Sequence, residues 1–90
     1  MNDADMLTAL KVDLGIVSTG YDDRLLQVMS AAKEAIAREG ATLDLAQLED
    51  CQVVIMYAAW LWRKRENMEE MPRMLRWALN NRVFSGETGG

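Results

Sequence analysis

Apolar residues recur along this chain at three- and four-residue spacing, in blocks separated by glycine and polar joints. That period belongs to helices with one buried face. Met6, Leu7, Leu10 and Leu14 predict a first helix over Ala4–Leu14, stopped by Gly15. Ile16 to Gly20 then reads as a linker, with Gly20 free to take a positive φ. A second stripe follows, Leu25, Val28, Met29, Ala32, Ala35 and Ile36. Asp22 or Asp23 is placed to cap that helix, and Gly40 to end it. Ala31, Ala32 and Ala35 are small enough to let a neighbouring helix come close.

The third block differs in kind. Asp44 and Gln47 have the spacing of a capping box, with Leu43 and Leu48 as its hydrophobic staple. Leu45, Leu48 and Cys51 then point inward. From Val53 to Trp62 no polar residue interrupts the run. A helix that is apolar all round must be covered all round. Either three other helices of this chain wrap it, or a second chain covers the remainder. Val53-Val54-Ile55 also suits a buried strand. The capped start, the length and the Arg63-Lys64-Arg65 stop favour a helix, with those cations at its negative end.

After a polar joint over Glu66–Glu70, Pro72 fits the first turn of a fourth helix. Met71, Leu75, Ala78 and Leu79 form its inward stripe, and Met74 and Trp77 fall on the neighbouring face. Val83-Phe84-Ser85 is a short apolar end, and residues 86–90 read as a disordered tail. The pattern thus predicts an all-α fold: a compact four-helix bundle around a buried third helix, forming one domain over residues 1–85.

Charge changes the picture. The 90 residues carry a formal charge of −4, unevenly spread. Residues 1–62 hold four Lys/Arg against ten Asp/Glu, and residues 63–82 hold six against three. Such polarity either neutralises itself within the monomer or orients the molecule on a copy or an oppositely charged partner. Arg63, Lys64, Arg65, Arg73, Arg76 and Arg82, with Trp60, Trp62 and Trp77, have the chemistry for phosphates and base stacking. The sequence pI near 4.7 argues against a stand-alone nucleic-acid binder. Trp77 and Phe84 among arginines have the make-up of an interface hot spot, although Trp77 also fits the edge of a core.

Candidate chemistry is sparse. The chain has no His and a single Cys. Cys51, in mid-helix with no His to activate it, reads as a small buried hydrophobe. Asp22-Asp23, Glu49-Asp50 and Glu69-Glu70 sit at helix ends or outer faces, where capping and solvation account for them. No phosphate loop, zinc spacing or nucleophile elbow occurs. The expectation is no enzyme, no cofactor and no metal. The acidic start is unlike a signal peptide, and Val53–Trp62 falls short of the ~20 residues a bilayer needs. A soluble intracellular protein without a membrane partner is expected.

The string Met71-Pro72-Arg73-Met74-Leu75-Arg76-Trp77-Ala78-Leu79-Asn80-Asn81-Arg82-Val83-Phe84 resembles the C-terminal segment of tailed-phage head–tail connector (adaptor) proteins, also labelled DNA-packaging proteins. The leucine-rich first helix, the Tyr21-Asp22-Asp23-Arg24-Leu25-Leu26 start of the second, and the apolar helix Val53 to Arg65 are similar too, so the resemblance spans about residues 5–85. It implies a non-enzymatic subunit of a homo-oligomeric ring beneath the portal protein, extending the DNA channel and receiving a downstream neck or tail-completion protein. DNA would be only the channel's content. The place implied is the virion neck, and the bacterial host cytoplasm during assembly. By position, Arg73, Arg76, Trp77, Asn80, Arg82 and Phe84 would lie in the segment meeting neighbours or portal. Arg63, Lys64 and Arg65 join them as candidate interface residues on charge. The loop from Gly15 to Tyr21 and the joint from Gly40 to Leu43 are short for that family. The rival reading is a small helical DNA-binding or DNA-packaging regulatory protein.

Overall fold

Four helices follow one another: α1 (Asp3–Leu14), α2 (Asp22–Arg38), α3 (Leu48–Asn67) and α4 (Arg73–Thr88). The computed structural model describes residues 1–67 and 70–88, with side chains over 1–64 and 70–83. Among the described residues there is no strand, and Val53-Val54-Ile55 is helical. The tail expected over 86–90 lies at and beyond the end of α4, where the side chains and Gly89-Gly90 are outside the described residues.

Asn2 starts α1, its Oδ1 accepting the Asp5 N–H at 2.8 Å. Asp3 and Asp5 stand at the positive end of the dipole. Gly15 ends the helix at φ 71°. The Gly15 and Ile16 amides fold back on the Val12 and Lys11 carbonyls at 3.2 and 2.9 Å, a Schellman closure that needs a left-handed residue. Gly40 closes α2 the same way, at φ 89°, with Gly40 and Ala41 donating to Ala37 and Ile36. Gly20, expected to take a positive φ, does not. Neither Asp22 nor Asp23 is the cap of α2. The helix begins after Tyr21, which makes no side-chain cap. Asp22 is bound instead by Lys11 Nζ at 2.7 Å.

The expected capping box at Asp44 does not form. The Asp44 carboxylate turns onto the Ala46 N–H at 3.0 Å, two residues on. Its own N–H is taken by Asp50 at 2.7 Å. The chain turns once, Gln47 N–H to Asp44 carbonyl at 2.9 Å, before α3 starts at Leu48. Leu48 is exposed, so there is no staple. An Asx turn competes locally with a cap for the same carboxylate, and here it wins because Asp50 holds the Asp44 amide. Pro72 stands one residue ahead of α4, accepting the Arg76 N–H at 3.0 Å.

The core surrounds the middle of α3. Val53, Val54, Ile55, Tyr57, Ala58 and Ala59 are buried. Met6 and Leu10 of α1, Leu25, Met29, Ala32 and Ile36 of α2, and Leu75 and Leu79 of α4 complete the cluster. Three helices of the same chain therefore wrap that stretch. The surplus is left at its end, where Trp60, Leu61 and Trp62 are half-buried, and at Met56. Cys51 is fully buried, its Sγ donating to the Leu45 carbonyl at 3.1 Å. α1 and α3 run in the same direction. The Met1 amine reaches the Leu45 carbonyl ahead of α3 at 3.2 Å, and Arg63 near its far end reaches the Asp13 carbonyl at 3.2 Å.

Candidate functional site

Leu75, Ala78 and Leu79 hold α4 onto the core. One position before Leu75 and Ala78 on the helix lie Met74 and Trp77, 76% and 68% exposed. These are two of the largest bare apolar side chains of the molecule, and they stand three residues apart on one face. Fold stability gives no reason for them to be there.

Of the nine candidate interface residues, the cations whose side chains are described are mostly engaged within the chain. Arg76 Nη1 is held by Glu39 at 2.6 Å. Arg82 closes on Asp50, with Nε and Nη2 donating to Oδ1 at 3.0 and 2.8 Å, and Nη1 to the Ala78 carbonyl. Both partners come from the acidic first part of the chain, so part of the charge polarity is neutralised within the monomer. Arg63 is engaged by the Asp13 carbonyl, and Lys64 Nζ lies 4.8 Å from the Trp60 ring centroid. Arg73, Trp77 and Asn80 remain together on the outer face of α4. Arg65 and Phe84 lie outside the described side chains.

Tyr57, Trp60 and Trp62 are buried or half-buried, and each has an aromatic neighbour. Tyr57 meets Trp60 edge-on at 5.4 Å, and Tyr21 meets Trp62 at 5.7 Å. Burial, and then the charge of Glu39, push the Tyr57 hydroxyl above its ordinary 10.0, while Arg76 acts the other way. Trp77 therefore differs from Trp60 and Trp62, with which the sequence groups it.

Beside the bare row runs a groove between α3 and α4. It consists of two depressions, about 510 and 410 Å³, that share Met56 and Met74. Arg63 and Arg73 stand at one end, and Glu49 and Asn81 at the other. Met56, Met74 and Glu49 were not among the interface residues the sequence suggested. Met56 was hidden inside an unbroken apolar run, whereas Met74 carried a readable signal, three residues before Trp77. Among the described residues no group of three acids or cysteines could hold a metal, and no helix is long and apolar enough to cross a membrane. The face combines exposed apolar side chains with charges at its rim, the composition common to association surfaces.

No family model, curated protein or solved structure matches this chain.

Proposed function

We propose that this chain is a structural subunit of a tailed-phage virion neck. It is a head–tail connector that assembles with copies of itself into a ring beneath the portal, extends the DNA channel and receives a downstream neck protein. One observation carries the reading. The segment Met71–Phe84, which resembles the connector segment, is anchored by Leu75 and Leu79 and turns Met74 and Trp77 outward. A helix seated on its own core by one row and bare along the next suits a subunit completed by its neighbours. The rival DNA-binding reading loses support because Arg76 and Arg82 are already committed to Glu39 and Asp50.

The test is size-exclusion chromatography with light scattering, alone and with portal rings from the same genome. A discrete complex with the portal is expected. Trp77→Ala should abolish it while leaving helix content unchanged. Monomer only, both at high concentration and with portal present, would overturn the proposal.

A further inference from the structure

The α3–α4 face has an order that its apolar content alone does not require. Arg73 at one end and Glu49 at the other are both exposed. Arg73 is the one cation among the described residues with no acid, amide, carbonyl or ring against it, since the others meet Asp, Glu, Gln, a carbonyl or Trp60. Glu49 likewise has no partner among them. Trp77 lies four residues after Arg73 and four before Asn81, which stands at the Glu49 end. At 1.5 Å per residue those ends are about 12 Å apart along the helix. The face is therefore net positive at one end, where Arg63 and Arg73 outnumber Asp13, and carries the free carboxylate of Glu49 at the other, where Arg82 is neutralised by Asp50; it is apolar between, with Trp77 near its middle.

A surface of that kind is complementary to itself after a half-turn. Rotation about an axis through Trp77 lays Arg73 of one copy over Glu49 of the other, and the reverse. Trp77 meets its own equivalent at the centre, and Met56 and Met74 add apolar surface beside it. Laid parallel, the same two faces would set Arg on Arg and Glu on Glu. We infer that the α3–α4 face pairs with the same face of a second copy across a two-fold axis. The patch is small against the roughly 800 Å² per partner of a stable interface. The pairing is accordingly weak and reversible, in the high-micromolar range. If the chain is a connector, the dimer covers Trp77 and competes with portal docking. The pairing itself does not depend on it.

Sedimentation equilibrium from the micromolar into the millimolar range tests the pairing on the full chain. The mass is expected to rise from one chain towards two and not beyond. Arg73→Glu and Glu49→Arg each alter both symmetry-related ion pairs, so each should weaken association about tenfold. The double reversal should restore it to within about threefold. Both are surface positions, and circular dichroism checks that the fold is kept. A monomer throughout, a mass that climbs past two chains, or a double variant as weak as the singles would overturn the inference. The two proposals fail separately. A portal complex without a dimer sinks the pairing alone, and a dimer that forms neither a ring nor a portal complex sinks the connector reading alone.

Discussion

α3 and α4 both carry rows of large apolar residues, and the molecule treats them differently. α3 packs against all three other helices, whereas α4 packs chiefly against α3. From Val53 to Ala59 only Met56 stays partly open. On α4, Leu75 and Leu79 are fully buried while Met74 and Trp77 beside them are bare. Position in the bundle, not apolar content, decides what is covered. A central helix of a 90-residue chain can be wrapped from several sides, but a peripheral one cannot. Apolar surface on the peripheral helix beyond its one seated row is therefore surplus to folding, and it is there that binding is to be sought.

The comparison is most easily broken at its first half. Ile55→Ala on α3 removes a fully buried side chain and should cost about 3 kcal/mol of unfolding free energy by the usual sum of transfer and cavity terms. Urea titration measures it. For a domain of this size that is a large share of a stability of roughly 5–10 kcal/mol. A loss below about 1 kcal/mol would mean that the middle of α3 is not the packed centre described here.

Next comes the seam between the two helices. Asp50 of α3 accepts from Arg82 of α4 and from the Asp44 amide, so it ties the late-starting α3 to both its own entry turn and α4. Asp50→Ala leaves Arg82 half-buried without its anion. The expected loss is about 2 kcal/mol, between an exposed pair and a fully buried one. Asp50→Asn, which keeps one acceptor for the amide, should lose about half as much. Equal and negligible losses would mean that the seam is held by Leu75 and Leu79 alone.

This seam also marks where reading the sequence stops working. Apart from Leu48, expected inward and found exposed, the inward stripes of the helices follow from spacing, and Gly15 and Gly40 announce their stops, because those signals lie within a turn or two of chain. The start of α3 did not, because Asp50 sits six residues from the amide it holds and diverts Asp44 from capping. Arg76–Glu39 and Arg82–Asp50 join residues 37 and 32 apart, and no local pattern pairs them. Two of the candidate interface cations are thereby paired within the chain. The exposure of Trp77 beside the inward stripe was visible from helical spacing, whereas the groove with Met56 and Glu49 required knowing that α4 lies along α3.

A smaller effect separates the core aromatic of α3 from the bare one of α4. The folded Tyr57 hydroxyl titrates above its ordinary 10.0, chiefly because it is buried. The folded state thus holds the phenolic proton longer than the unfolded one. Stability from this group is intact below pH 10 and falls as pH rises from there through the folded value. Tyr57→Phe should therefore lose less stability than the parent between neutral pH and alkali, measured by urea titration on either side of pH 10. An equally steep fall in the variant would mean that the Tyr57 hydroxyl titrates alike in both states or that other groups govern the alkaline limb.

The smallest expected effect is the sharpest. Trp77 is 68% exposed and Met74 76%, and no hydrogen bond or ring contact ties either to the rest of the described structure. Truncation of each to Ala should shift unfolding free energy by no more than about 0.5 kcal/mol. Alanine's better helix propensity even works in the variants' favour. A Trp of this exposure that cost 2 kcal/mol or more would belong to the core edge, and the contrast between α3 and α4 would collapse. If instead Trp77→Ala unfolds like the parent and yet no longer associates, the indole serves contact with another molecule and not the fold. Ile55→Ala supplies the control in the opposite sense, since its damage must show in unfolding whether or not any partner is present.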